Sequence, residues 1–234
     1  MTDALASRLP CGELAIGARV FVAESARIAV PSETTIRRWM LDPELATPRT
    51  VTVGDNTIVL DEVIVQEGTS IGGDCYIDRA VHVGFDCRIG NYCRLEYRAQ
   101  ICDRVTVGDG SVIGGFLCDG SQLGEECVVL GSLVHGVREP DLPWGQYEPD
   151  PVLEQRVFVG RGAVVVGGAR VGAGAYIAAN AIVTRDVPPD HVVINKNEFV
   201  PISAWPGDLQ RKRWAGASSS STGVDRSAGT TMAD

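Results

Sequence analysis

The sequence predicts an all-β solenoid of short strands and turns, on three observations. From Val53 to Cys118 the chain divides into eleven consecutive hexads: VGDNTI, VLDEVI, VQEGTS, IGGDCY, IDRAVH, VGFDCR, IGNYCR, LEYRAQ, ICDRVT, VGDGSV and IGGFLC. All eleven begin with Val, Ile or Leu, whereas the other 55 positions of the stretch carry only eight such residues. Helices and ordinary strands repeat near 3.6 and 2, so a period of six belongs to neither. A short fixed repeat marks units that bury their apolar side only against their neighbours. Position two is the second observation: Gly54, Gly72, Gly84, Gly90, Gly108 and Gly114 fall there, as a tight corner would favour. Position five is the third, being small or β-branched from Thr57 through Cys75, Cys87 and Cys93 to Ser111, which suits a second, cramped inward site.

Taken in order, the N-terminal part already repeats in another phase, with Ile16, Val22 and Ile28 heading three hexads. Residues 31–52 then leave the pattern. Ser32 or Thr34 can cap a short helical turn carrying Ile36, Trp39 and Met40, which Pro43 ends. That excursion either touches a neighbouring subunit or substrate, or is a plain surface feature with Trp39 packed down. After Ile113 the phase slips by two, and Leu117, Leu123 and Val129 head the new frame. A second interruption opens at His135, and hexads are expected again at Val159, Val165, Val171, Ile177 and Val183 in that frame. An interruption that keeps the frame reads as an extruded loop, here 135–158, and long irregular loops in compact domains are usually functional or disordered. Trp144, Tyr147 and four prolines favour an ordered loop.

The last repeats are rich in Ala and Gly, and Pro188–Pro189 is expected to end the solenoid, since Pro supplies no strand N–H. Residues 199–214 are read as a C-terminal cap with Trp205 and Trp214 over the open core. From Ala215 a Ser/Gly/Thr tail cannot bury enough surface to order. The expected organisation is one β-helix domain over 1–214 and a disordered tail over 215–234.

Charge and cysteine usage exclude several classes. A net charge of −9 offers no basic stripe for nucleic acid. No apolar run approaches the roughly 18 residues of a membrane span, and the N-terminus has no signal-peptide pattern. Seven cysteines without a CxxC pair argue against a zinc cage, and Cys75, Cys87, Cys93 and Cys127 at position five read as core filler in a reducing cytoplasm.

This pattern resembles the hexapeptide-repeat family, whose members form left-handed parallel β-helices and are mostly acyltransferases. The repeat covers about two-thirds of the chain, and the handedness and the three hexads per coil come from the resemblance. With that fold, residues 18 apart stack, placing Asp78 under Glu96, Arg79 under Tyr97 and Tyr76 under Arg94. The stacked carboxylates suit either acid–base work or a solvated face. The γ-class carbonic anhydrases share the fold but need three His ligands, two of them five residues apart. His82, His135 and His191 offer no such pair, so no catalytic metal is expected.

In the xenobiotic and sugar acetyltransferases that the chain resembles, one His at the root of an extruded loop deprotonates the acceptor. GSLVHGVREPDLPWG places His135 at such a root, with Glu139 or Asp141 to orient the ring and Trp144 over the substrate. Imidazole suits this work because its pKa lies near neutrality. The alternative is an inert His135 closing an inward-facing strand. Asp78, Arg94, Glu96 and Tyr97 complete the expected substrate set. Family members lay coenzyme A along their C-terminal coils, and the matching positions are Gly162, Ala163, Ala179 and Arg185. Where they continue with Gly-Asn-Pro-Ala at the adenine end, this chain has Asn195-Lys196-Asn197-Glu198.

The resemblance implies a cytoplasmic homotrimer that moves an acyl group from acetyl-CoA, or another acyl-CoA, to a hydroxyl or amine of a small-molecule acceptor. Two other readings keep the fold: a different acid–base enzyme (isomerase, lyase or cyclase), and a non-catalytic trimeric scaffold.

Overall fold

The computed structural model describes residues 11–136 and 148–194. Its strands are two to four residues long and all pair in parallel, in three sheets of eight, nine and eight strands. Up to Ile182–Val183 every third strand in sequence joins the same sheet, so each circuit of the chain visits three walls, here A, B and C in chain order. This is a left-handed parallel β-helix. Wall A runs from Leu14–Ile16 to Arg170–Val171, wall B from Phe21–Val22 to Val192–Val193, and wall C from Arg27–Val30 to Ile182–Val183.

The repeat places side chains as its period requires. The eleven hexad heads are at most 4 % exposed, and the position-five residues beneath them are buried too. In parallel strands the same residue type stacks on itself in successive coils, so the aliphatic heads make one continuous column per wall. Ile16 is the exception: at the first coil it stays exposed.

Position two is glycine for a different reason than a tight corner. None of those glycines has a positive φ. What they lack is room: a Cβ on Gly72 would sit 2.6 Å from the backbone of Gly90, and one on Gly108 would sit 2.5 Å from Gly124. The turn is made at position four instead, where all ten residues from Asn56 to Gly110 have φ between +55° and +73°. Eight of these ten are not glycine, so each corner accepts about 1–2 kcal/mol of backbone strain. The amides there donate to the coil below, as from Asp74 to Asp55 O at 2.7 Å and from Tyr92 to Gly73 O at 2.9 Å.

The cysteines at position five do more than fill space. Thr57, Thr69, Cys75, Cys87 and Cys93 each donate to a corner carbonyl one coil on; Cys87 Sγ reaches Cys102 O at 3.0 Å and Thr69 Oγ1 reaches Gly84 O at 2.7 Å. Val63, Val81, Ala99 and Val105 fill the same position without a donor, so the hydrogen bond is added at particular corners. Burial pushes the Cys87 thiol up to about 12, which keeps it protonated and donating.

Three of the sequence expectations shift here. The phase slip after Ile113 is a four-residue step between heads, to Leu117, and a second such step runs from Val129 to Leu133. Leu133, not His135, therefore takes the inward site, and His135 lies on the corner beyond it. The coil also resumes sooner than Val159: Val152–Leu153 pairs with Gln122–Leu123 below and Arg170–Val171 above. Likewise Pro188–Pro189 does not end the coil. Val187 bridges to Val171, and Val192–Val193 pairs with Tyr176–Ile177, because the two prolines fall on a corner where no ladder N–H is needed. The expected cap and tail, 199–234, lie outside the described residues.

The excursion after wall C's first strand holds a helix, α1 (Glu33–Leu41), capped by Ser32, whose side chain accepts from the Thr35 amide. A single carboxylate fastens both ends of it. Glu67, 0 % exposed, takes the Ser32 amide and hydroxyl and the Thr35 hydroxyl on Oε1, and the Arg49 amide at 2.8 Å on Oε2. Burial alone would raise the Glu67 pKa; the hydrogen bonds from Ser32, Thr35 and Arg49 outweigh it and hold the group below its ordinary value.

The outward rows differ from wall to wall. Wall A carries Thr52, Ser70, Arg88, Thr106, Gln122 and Arg170 among its outward positions. Wall B presents Phe21, Ile58, Tyr76, Arg94, Val112, Val128, Phe158, Tyr176 and Val192, with Arg94 its one charge.

Two measurements check this account. Gly115→Ala, whose Cβ would lie 1.8 Å from Gly131 O, is expected to lower urea-unfolding stability by about 2–3 kcal/mol. Gly110→Ala, which meets nothing closer than 3.5 Å and carries only the positive φ, is expected to lose about 1 kcal/mol. Equal losses would contradict the steric reading of the repeat glycines. Glu67→Ala is expected to open residues 31–49 to limited proteolysis before the coil unfolds. The Glu67 contribution is fully present above the ordinary Glu pKa and is lost as pH falls through its lowered folded value.

Candidate active site

One edge of the coil, where wall C turns into wall A, collects the titratable groups. Glu67, Phe85, Asp103, Asp119 and His135 each stand two residues after an inward head (Val65, Val83, Ile101, Leu117 and Leu133), so they stack in one column. The interruption leaves the coil at His135 in this column. Its exit and return are pinned to the next coil: Gly167 donates to Val134 O at 2.7 Å and Gly168 to Asp150 O at 3.1 Å. Gly167 has to be glycine, because a Cβ there would be 1.8 Å from Pro149 O.

His135 Nδ1 faces two carboxylates across this junction, Glu148 Oε2 at 3.6 Å and Asp150 Oδ1 at 3.7 Å, with all three side chains about a quarter exposed. Nδ1 is buried and has no hydrogen-bond partner among the described residues. A small closure would bring either carboxylate into bonding range and leave Nε2 for an acceptor. Asp150 lies over Gly120, whose Cβ would stand 2.5 Å from Oδ2 and whose φ is +69°, so only glycine gives it that seat. Burial raises the Asp150 pKa; His135 and Arg104 pull it down and Asp119 pushes it up, and the net direction is upward. Below, Asp119 accepts from the Asp103 amide at 2.9 Å and lies 3.5 Å from Arg104 Nη2. Arg104 and Arg49 approach the Phe85 ring at 5.4 and 5.8 Å.

Residues 150–185 match the family model described as bacterial transferase hexapeptide (six repeats). That match covers the coils after the interruption, and the hexads before it repeat with the same period. Similar curated proteins include the bifunctional protein GlmU of Trichlorobacter lovleyi, 29 % identical over 188 residues that make up 66 % of this chain and 40 % of that one. The bifunctional protein GlmU of Ralstonia pickettii is 26 % identical over 171 residues, 70 % of this chain and 37 % of that one. This hexapeptide-repeat chain thus spans about two-fifths of the length of those relatives. Among solved structures, the UDP-N-acetylglucosamine acyltransferase from Campylobacter jejuni is 15 % identical with a TM-score of 0.42, over 76 % of this chain and 70 % of that one.

The other expected site residues do not gather in one place. Glu139, Asp141 and Trp144 lie outside the described residues. Asp78, Glu96 and Tyr97 stand on a different edge, where wall B turns into wall C, and Arg94 on wall B beside them; the structure does not bring them to His135. The stack Tyr76 under Arg94 is present, with the guanidinium 4.6 Å from the ring. Each carboxylate there has a local partner: Asp78 accepts from the Arg79 amide at 2.7 Å, and Glu96 is 3.6 Å from Arg94 Nε.

Gly162 and Ala179 are exposed on that same B-to-C edge in successive coils, where Gly160 leaves room for Ala179. Ala163 faces the core, its amide donating to Gly160 O at 3.0 Å and its carbonyl accepting from Ser132 at 2.8 Å, so neither group is open to a ligand. Arg185 is exposed in the His135 column, two residues after the head Val183.

His82 is only half-buried, and burial lowers its pKa against the pull of Asp103. His191 is exposed, with Nδ1 2.7 Å from Pro189 O. Sequence reasoning missed Glu148, Asp150 and Gly120. The available signal was Leu153, which stands one hexad before Val159 and would have shown that the chain is back on the coil by residue 150.

The raised Asp150 value gives a stability test. Its ionisation is disfavoured in the fold, so the associated stability is full below the ordinary Asp pKa and is lost as pH rises through the folded value. Asp150→Asn is expected to raise the thermal midpoint at pH 7 and leave it unchanged near pH 3. A fall at pH 7 would mean that the carboxylate stabilises the fold instead.

Proposed function

We propose that the chain is an acyl-CoA-dependent acyltransferase, most simply an acetyltransferase, acting on a hydroxyl or amine of a small molecule such as a sugar or natural-product intermediate. The observation that carries this reading is His135 at the stem of the interruption, its buried Nδ1 facing Glu148 and Asp150 without a hydrogen bond among the described residues. The match to a transferase family model supports it. No described helix is long and apolar enough to cross a membrane. We place the protein in the cytoplasm as a homotrimer.

In this mechanism His135 Nε2 takes the proton from the acceptor as the acceptor oxygen or nitrogen attacks the thioester carbonyl. The carbon–sulfur bond then breaks, and His135 returns the proton to the departing thiolate. Asp150 and Glu148 offset the positive charge that the ring carries in between. The rigid seat over Gly120 gives Asp150 the larger share of orienting Nδ1.

The co-substrate site would use the exposed small residues of the upper B-to-C edge, Gly162 and Ala179, at one side of wall C and Arg185 at the other. Between them the wall presents Val134, Val164, Val166 and Ile182, an apolar strip suited to a pantetheine arm. Arg185 would meet its phosphates. The set Asp78, Arg94, Glu96 and Tyr97 enters the reading only as a site on the neighbouring subunit's side of an oligomer.

Calorimetric titration with acetyl-CoA and with CoA tests the class. Saturable binding is expected, and none at millimolar ligand would overturn the reading. His135→Ala is expected to lower turnover by about 10²–10⁴-fold with acetyl-CoA affinity kept. Turnover that depends on His135 without CoA binding would point to another acid–base reaction on the same fold.

A further inference from the structure

Wall A carries a hollow that the proposed mechanism does not use. Its outward column runs Arg88, Thr106, Gln122, Val152 and Arg170 through successive coils. Thr106 and Val152 are short, and the Arg170 side chain is held against Glu154, so the column sinks between its two arginines. The hollow measures about 500 Å³, within the range of ligand sites, and its lining includes Thr106, Gln122, Val152, Glu154, Gln155 and Arg170. From Thr106 to Arg170 it crosses three coil steps of ~4.8 Å, roughly 14 Å.

Its position ties it to His135. Two strands of wall A lead into it from the His135 column: Asp119 stands three residues before Gln122, and Asp150 two residues before Val152. Two residues of extended chain span about 7 Å, so the hollow starts one short step from a carboxylate that faces His135 Nδ1. The chain returning from the interruption therefore builds both, with Asp150 at its start and Val152, Glu154 and Gln155 after it.

The lining states the chemistry of the ligand. Thr106, Gln122 and Gln155 are exposed and uncharged, and each offers both a donor and an acceptor, which is what hydroxyl groups require. The two ions of the hollow neutralise each other, Arg170 Nε donating to Glu154 Oε1 at 2.8 Å. Glu154 is fixed from its other side as well, where the Ala173 amide donates to Oε2 at 3.0 Å. Those two bonds hold its pKa below the usual carboxylate range and keep it an acceptor. The Arg170 amide donates to Asp186 Oδ1 at 2.8 Å, which leaves the surroundings one negative charge in excess. A phosphate or carboxylate is repelled there, whereas a hydroxyl meets groups that are already ordered. Val152 adds an apolar contact for the carbon face of a ring.

We infer that the wall A hollow binds an uncharged saccharide and presents one of its hydroxyls to His135 as the acylation acceptor. This rests on the acyltransferase reading and narrows it, because a sugar phosphate is excluded from the hollow by charge.

Saturation-transfer NMR on the full-length chain tests it, with glucose, N-acetylglucosamine and the 6-phosphate of each as probes. At least one neutral sugar is expected to bind saturably, and at least tenfold more tightly than its own phosphate. Gln122→Leu and Gln155→Leu, both at exposed positions, are each expected to raise its Kd at least tenfold, with thermal midpoint and acetyl-CoA affinity kept. Absence of binding by either neutral sugar, tighter binding of the phosphates, or binding indifferent to both substitutions would overturn the inference. Sugar binding that follows this pattern in a chain that does not bind acetyl-CoA would strike the acyltransferase reading, and with it the acceptor role, while leaving the saccharide site in place.

Discussion

Close stacking of successive coils is the constraint on which everything else in this protein depends. Parallel strands ~4.8 Å apart bring the backbone of each corner against the corner above, and little side chain fits between. Glycine at position two follows from that contact, as at Gly72 against Gly90. A left-handed residue at position four follows as well, because the chain must turn sharply while its amide reaches the coil below. Small hydroxyl and thiol donors at position five follow from the corner carbonyls left facing inward. One geometric demand therefore explains three features of the hexad that are chemically unrelated.

The same constraint decides where chemistry can be placed. The inward side of the coil is filled by its buried heads and position-five residues, so functional groups stand on its edges and in whatever the chain extrudes. Stacking lines up an edge residue with its equivalents above and below, which turns the C-to-A edge into the column from Glu67 to His135. Charges in such a column are held by short-range partners: Glu67 by the two ends of the excursion, Asp119 by the Asp103 amide and Arg104, Asp150 by its seat over Gly120. Only His135 Nδ1 and His82 Nδ1 are left as buried side-chain atoms without a hydrogen bond among the described residues. The two excursions rise from this one edge, so the candidate active site and helix α1 share an edge of the coil.

Much of this was legible in the hexads. Eleven heads in eleven repeats fix a period, and with the three hexads per coil that the resemblance implies, the Tyr76–Arg94 pair could be named without coordinates. The Ser32 cap and the helix after it were legible from capping chemistry. His135 was legible as a candidate because the period fails there. Its partners were not. Glu139 and Asp141 are near it in sequence, whereas Glu148 and Asp150 reach it only because the chain comes back to the same corner.

The sequence alone determined the repeat, the inward columns, the protected cysteines and the site of the interruption, since these depend on local period and residue volume. Tertiary structure decided the rest. It showed that the four-residue steps at Leu117 and Leu133 move His135 off the core and onto an edge. It also showed that glycine at position two answers a neighbour's backbone and not the turn. Both outcomes depend on contacts between coils 16 to 18 residues apart, and a hexad read by itself carries no information about the coil stacked upon it.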